Sequence, residues 1–253
     1  MNDELKLHAQ LDTLPFYITP PHPCSYLDDR QATTVFVDPH FPLKMEHYAN
    51  LARLGFRRSG EHVYRPECTS CTLCIPVRVP VNEFRPSRAQ RRCQRKNADI
   101  HITLVDAVYR EEHFRLYRRY MSARHAGGGM DKDDPQAYQS LISAPWCDSR
   151  LIEFRLQGEL IAVAVVDQFQ QGLSAVYTFF DPAWANRSLG VFAVLSEIRL
   201  IQEAKQGWLY LGYWNPQSPK MAYKSNYSPL EFFDSQDWQK LDGESHPQLF
   251  SPK

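Results

Sequence analysis

The sequence predicts an α+β protein of two domains, and three observations carry the prediction. The second half runs as three apolar strands in close succession, then an amphipathic helix, then one more strand. The first half mixes proline-rich irregular stretches with short strands, cysteines and a strongly basic helix. At 253 residues, 43% of them apolar, the chain is long for one compact core and sufficient for two. No run approaches the ~18–20 apolar residues of a membrane span. The first ten residues, MNDELKLHAQ, are too acidic and polar for a secretory signal. The expectation is a cytoplasmic chain. Residues 1–105 form an amino-terminal domain with the cysteines and the basic helix, and residues 106–253 a carboxyl-terminal one.

Taken in order, residues 1–31 carry Pro15, Pro20, Pro21 and Pro23 with Asp28-Asp29 and read as irregular. Thr33–Val37 is a short strand. Leu43–Leu54 has apolar residues at helical spacing and stops at Gly55, a C-cap residue. His62–Tyr64 is a second short strand. In Ile75–Val81 the period is two, with Val77, Val79 and Val81 on one face and Arg78 on the other. Pro76 and Pro80 suit an edge strand there. Ser87 caps the basic helix, and Ile100–Val105 is a strand. Glu111–Arg124 aligns Phe114, Tyr117 and Met121 along one helical face, and His125-Ala-Gly-Gly-Gly-Met130 ends that helix. Gln136–Ser143 is a short helix.

Arg150–Leu156, Leu160–Phe169 and Leu173–Phe180 are strands joined by hairpin turns at Gln157-Gly158 and Gln170–Gly172. After the loop Asp181–Ser188, Phe192, Leu195, Ile198, Ile201 and Ala204 mark the core face of a long helix. Trp208–Tyr213 is a further strand, and the polar tail after Asp237 is expected to be poorly ordered. Three antiparallel strands, a helix and a strand is the core order of the GNAT acyltransferase fold. The turn Arg187-Ser-Leu-Gly190 sits where such folds bind pyrophosphate at a helix amino terminus.

Three constellations bear on chemistry. Cys68, Cys71 and Cys74 recur every third residue, and soft thiolates in such a loop select zinc or an iron–sulfur cluster. Cys24 is the fourth ligand on offer, with His22 or Cys93 behind it; three small buried thiols are the plain alternative. The formal net charge is zero, which ordinarily argues against nucleic acid, but the charge is unevenly spread. Residues 84–125 hold eleven Lys/Arg against four Asp/Glu, whereas residues 1–50 hold three against seven. Arg88, Arg91, Arg92, Arg95 and Lys96 cover more than one helical face, and Arg118, Arg119 and Arg124 follow on the next helix. Guanidiniums favour phosphate, so these residues point to RNA. Lastly, Lys220-Met-Ala-Tyr-Lys224, if helical, sets two ammonium groups on one side with Tyr223 beside them, fit for a carboxylate or phosphate.

These stretches together resemble the arginyl-tRNA–protein transferase family, in particular its bacterial aspartate/glutamate leucyltransferase branch. YRPECTSCTLCIPVRVPVNEFRPSRAQRR, RHAGGGM, EFRLQGELIAVAVVD, LSAVYTFFDP, RSLGVFAVLSEI and LGYWNPQSPKMAYKSNYSPLE carry the likeness through most of the chain. The resemblance implies a GNAT-like catalytic domain after the cysteine-bearing one. It implies transfer of leucine from Leu-tRNA to proteins with amino-terminal Asp or Glu, marking them for degradation, without a nucleotide cofactor. At the cysteines the chain departs from the family: eukaryotic relatives carry two Cys pairs, whereas here Cys24 stands alone before Cys68, Cys71 and Cys74.

Within that frame Arg78, Arg88, Lys220, Tyr223 and Lys224 are assigned to the acceptor carboxylate or the tRNA 3′ end. Ser174, Tyr177 and Tyr213 line the reaction centre, and Glu153 and Asp181 are the candidate proton acceptors. Arg91, Arg92, Arg95, Lys96, Arg118, Arg119, Arg124 and Arg187 face tRNA. Two rivals stand beside this reading. One is an acetyl-CoA-dependent acetyltransferase using the Arg187–Gly190 turn; the other is a metal-knotted RNA-binding module without catalysis.

Overall fold

A computed structural model describes residues 14–124 and 134–241, so the glycine run after His125 and the tail beyond Leu241 lie outside the described residues. It is a mixed α and β structure that divides into two units interleaved along the chain. The first takes residues up to Arg78, Leu211–Asn226 and Leu230 onward; the second takes Val79–Tyr210 and Tyr227–Pro229. A single linear boundary at residue 105 was expected. The difference arises because strand Ile100–Asp106 pairs along its length with strand Ser149–Leu156, which draws it into the second unit.

In the first unit β1 (Phe16–Ile18), β4 (Thr34–Val37), β6 (His62–Pro66) and β5 (Arg57–Ser59) form one sheet in that order. β2 (His22–Pro23) pairs with β3 (Gln31–Ala32). The stretch expected to be irregular therefore carries three strands of two or three residues, and Pro15, Pro20, Pro21 and Pro23 lie in or beside the first two. Helix α1 (Met45–Arg53) buries Tyr48, Leu51 and Ala52. Gly55 ends it with φ +82°, and a Cβ there would sit 2.7 Å from Pro76 Cγ, so both conformation and space demand glycine. β7 (Ile75–Pro80) pairs through Val77 and Arg78 with β13 (Glu231–Phe233), which pairs with β14 (Trp238–Lys240). β7 has β13 on one side and β12 (Trp208–Trp214) on the other, so it is no edge strand. Its prolines are tolerated beside β13 because that short strand matches only Val77 and Arg78.

The second unit is built on β8 (Ile100–Asp106), β9 (Ser149–Leu156), β10 (Glu159–Phe169) and β11 (Gly172–Phe180), antiparallel in sequence order. Helix α5 (Leu189–Glu203) then crosses over so that the start of β12 runs parallel to β11. Helices α3 (Glu111–Arg124) and α4 (Pro135–Ile142) share a buried cluster with Leu151, Val163, Val165 and Phe179. Phe154, three residues from Leu151 and so on the opposite face, meets Phe192 of α5 at 5.7 Å between ring centres. The sheet is thus covered on both sides, which explains its near-continuous apolar strands. Helix α2 (Arg88–Lys96) opens with Ser87, whose side chain accepts from Gln90 N while Gln90 reciprocates to Ser87 N. Among the described residues no helix is long and apolar enough to cross a membrane.

Candidate active site

Helix α2 presents Arg88, Arg91, Arg92 and Arg95 as exposed side chains. Its other side is tied to the loop before α5. Lys96 Nζ donates to Asn186 O at 2.6 Å, Asn97 Nδ2 to Arg187 O at 2.9 Å, and Cys93 Sγ lies 3.7 Å from Ser188 O. Arg187 closes the loop with a two-pronged ion pair to Asp99, at 2.8 and 3.0 Å. The expected pyrophosphate turn is therefore bound into the basic helix, and Lys96 and Arg187 are occupied in holding it there. Arg124 is exposed at the end of α3, and Arg118 lies 5.9 Å from the Phe114 ring centre.

On the second unit's sheet, Ser174 and Tyr177 share a face despite their odd spacing. Ser174 opposes Asp167 and Tyr177 opposes Val165, because a bulge takes up one residue of β11 between them. Ser174 is buried; Tyr177 is half-buried, its hydroxyl 3.6 Å from Met121 Sδ, and burial pushes its pKa well up. Glu153, opposite Val163, lies on that face too. It accepts from His113 Nε2 at 2.8 Å, Arg155 Nε at 2.8 Å and Arg110 Nη1 at 3.0 Å. Burial raises its pKa, but the hydrogen bonds from Arg155 and His113 outweigh that and hold the carboxyl below its ordinary range. Asp181 caps the turn after β11 through Ala183 N and accepts from Arg119 Nη2 at 2.8 Å. Both candidate proton acceptors thus carry guanidinium partners.

Tyr213 belongs to the first unit, apart from these residues in the division of the chain. It is buried, with its hydroxyl 2.9 Å from Gly55 O and 3.1 Å from Tyr64 O, an architectural bond across the unit's strands. Arg78 is likewise engaged, paired with Glu231 at 2.6 Å and stacked 4.3 Å from the Trp238 ring centre. Residues Ala222–Asn226 form a 3-10 turn, so Lys220 precedes it and the expected helical pairing with Lys224 does not form. Lys220 and Tyr223 are exposed. Lys224 turns inward, half-buried, and donates to Tyr213 O at 2.6 Å. Burial first, and then the field of Arg57, brings its pKa down to about 7.

Cys24, Cys68, Cys71 and Cys74 lie in the first unit, near enough to act on one another electrostatically. Among the described residues, however, no group of three or more His, Cys, Asp or Glu is arranged to hold a metal ion. Burial pushes the Cys74 thiol up to about 12 and the Cys68 thiol up as well, and the neighbouring cysteines add to both shifts. The alternatives fare no better: His22 Nδ1 faces Pro20 O, and Cys93 lies against the α5 loop in the second unit. Zinc or an iron–sulfur cluster at these cysteines is thus without support from their arrangement among the described residues.

Comparison with known proteins bears on the whole chain. Residues 22–92 match the family model for the amino terminus of arginine-tRNA-protein transferases, and residues 112–234 that for the carboxyl terminus. The chain is 48% identical over 231 residues to a protein of Saccharophagus degradans named aspartate/glutamate leucyltransferase, covering 91% of this chain and 98% of the relative. A protein of the same name from Hahella chejuensis is 46% identical, with the same shares covered. Among solved structures, L-PGS from Bacillus licheniformis aligns with a TM-score of 0.43 at 13% identity, over 84% of this chain and 76% of that one. FemX gives 0.42 at 10%, over 83% and 82%. These structural likenesses are too loose to bear on fold or chemistry. The sequence matches are not, and by them the chain belongs to the arginine-tRNA-protein transferase family, within its aspartate/glutamate leucyltransferase branch.

Proposed function

We infer that the chain is an aminoacyl-tRNA–protein transferase that moves leucine from Leu-tRNA to the α-amino group of proteins beginning with Asp or Glu. One observation carries this above others: the likeness to named leucyltransferases runs over 98% of a relative's length and includes both family segments. The second unit's strand order and crossover helix support a GNAT-like reading of the catalytic core. The α5 loop, held by α2, favours a tRNA-facing surface over an acetyl-CoA site.

The chemistry needs little from the protein beyond position. The acceptor amine attacks the carbonyl carbon of the leucyl ester, a C–N bond forms, and the bond to the terminal ribose oxygen breaks. The ribose hydroxyl leaves with the proton that the amine releases. An α-amino group with a pKa of ~8 is already partly neutral near pH 7, so holding it against an activated ester supplies most of the rate. In this account Glu153 and Asp181 act by anchoring α3, through Arg110, His113 and Arg155 and through Arg119. Ser174 and Tyr177 line the donor side. Arg88, Arg91, Arg92, Arg95, Arg118 and Arg124 face the tRNA backbone. Lys224, with Lys220 and Tyr223 near it in sequence, serves the acceptor.

The test is direct. Protein, Leu-tRNA and peptides beginning with Asp, Glu or Ala are incubated and the products weighed. Leucine added to the acidic peptides and not to Ala is the expected result, and no aminoacyl adduct on any peptide refutes the assignment.

A further inference from the structure

The four short strands of the first unit's sheet each place one side chain in a single line. Tyr17 of β1 is paired with Phe36 of β4, Phe36 with Tyr64 of β6, and Tyr64 with Arg57 of β5. Directly opposed residues share a face, so three aromatic rings and a guanidinium cross the sheet side by side. His62, two positions from Tyr64, joins them edge-on to Phe36, with 6.1 Å between ring centres. The opposite face builds the core, since Val37, Val63 and Arg58 are buried there.

The row is closed at one end and open at the other. Phe36 and Tyr64 are 5.9 Å apart, and Tyr64 meets the Tyr213 ring at 6.0 Å, which covers that end. At the other end the rings of Tyr17 and Phe36 are 5.5 Å apart and within 14° of parallel. Tyr17 is 43% exposed, His62 is exposed and Phe36 is half-buried. Rings that served packing alone would be under cover, whereas adjacent rings turned to water on one face mark a binding surface.

The chemistry of the face selects its occupant. Near-parallel rings on neighbouring strands, ~4.8 Å apart, are surfaces on which unpaired bases stack whatever their identity. Of the charged residues in the four strands, Arg57 lies on the aromatic face and none is Asp or Glu, a balance that complements a polyanion. Leu-tRNA is such a polyanion, with unpaired bases at the end that carries the amino acid. Acceptor proteins differ beyond their first residue and offer a fixed aromatic surface no common contact, whereas that unpaired end is common to all tRNAs.

We propose that Tyr17 and Phe36, with His62 beside them, form a platform on which unpaired bases at the 3′ end of the aminoacyl-tRNA stack. This rests on the leucyl-transfer reading and adds a binding site to it. The arginines of α2 hold the tRNA backbone by charge, and the platform holds the unpaired end by stacking.

The test measures binding of uncharged tRNA to the full chain, with the tRNA intact or lacking its last three nucleotides. Trimming should weaken binding to the wild type by about 5- to 150-fold, the range for one stacked base. That effect should shrink to a few-fold or less in Tyr17→Ala and in the Tyr17→Ala/Phe36→Ala double variant, and persist in Tyr17→Trp. Melting curves verify folding, and Tyr17→Ala alone decides if the double variant is unfolded. The salt dependence of affinity should stay that of the wild type, because stacking displaces no counter-ions. Equal binding of intact and trimmed tRNA by the wild type overturns the proposal, as does an undiminished trimming effect in folded Tyr17→Ala. A higher KM for the acceptor peptide with tRNA binding unchanged also overturns it and makes the face a protein-docking surface. If the wild type transfers leucine to Asp peptides yet binds both tRNAs alike, only this inference fails. If it transfers no leucine at all, the functional assignment fails with it.

Discussion

In the second unit Arg110, His113 and Arg155 converge on the buried carboxylate of Glu153; in the first, Arg57 and Lys224 converge on Gly212 and Tyr213. The first group closes on itself. Two guanidiniums and the imidazole each face an oxygen of Glu153, Arg155 reaches Glu112 as well, and the result fastens α3 to β9. In the second group, the charges acting on Lys224 leave its ammonium disfavoured. The network around Glu153 is architecture, whereas Lys224 donates to Tyr213 O from surroundings that disfavour its charge, and it is the group assigned to the acceptor.

Breaking the compensated network should have the largest effect on stability. Glu153→Ala takes the carboxylate from Arg110 and from the buried His113 and leaves Arg155 with Glu112 alone, and loss of such charge-assisted hydrogen bonds costs ~1.5–3 kcal/mol. A urea titration should register that fall, and a loss below ~1 kcal/mol would mean the network contributes little. Lys224→Met should spare the fold and hit the acceptor instead, with kcat/KM for Asp peptides falling about 10- to 100-fold.

The exposed arginines of α2 sharpen the contrast from a third side. Replacing Arg92 and Arg95 by Gln should weaken Leu-tRNA binding alike for any tRNA sequence. The dependence of log affinity on log salt should flatten by ~0.7–0.9 for each phosphate no longer neutralised. An unchanged salt slope would move the tRNA surface off this helix. The smallest expected effect is of opposite sign. Lys224 has a folded pKa of about 7, below that of an unfolded lysine. Its destabilising contribution is therefore fully present below pH 7 and fades as pH rises towards the unfolded value. Lys224→Met should raise the melting midpoint at pH 6.5, ~2–4 °C for each kcal/mol gained in a chain this size, with the gain shrinking by pH 10. A midpoint lowered at pH 6.5 would make the ammonium a net structural asset.

Much of the second unit was legible in the residues, because β9–β11 are long apolar strands, their turns carry glycine, and α5 keeps a helical period. Ser87 announced α2 by its side chain and the Gln three residues on. The first unit was harder to read. β5, β13 and β14 are three residues each, too short for a period, and Pro76 and Pro80 pointed to an edge position that the sheet does not give β7. Site residues suffered for another reason. Arg78 looked like a free cation because Glu231 lies 153 positions away, and Glu153 looked like a free base because Arg110 and His113 lie some forty residues before it. Gly212, an isolated glycine inside an apolar strand, carried a signal of its own, since such a glycine marks close approach by another group, here the Arg57 side chain.

The most direct test sets the two cation groups side by side. Leucyl transfer to paired peptides beginning with Asp and Asn is timed for the wild type, Glu153→Gln and Lys224→Met under one set of conditions. The preference for Asp over Asn should be kept in Glu153→Gln, whatever its stability, and should collapse in Lys224→Met. Retention of the full preference in folded Lys224→Met, or its loss in Glu153→Gln alone, would contradict the account.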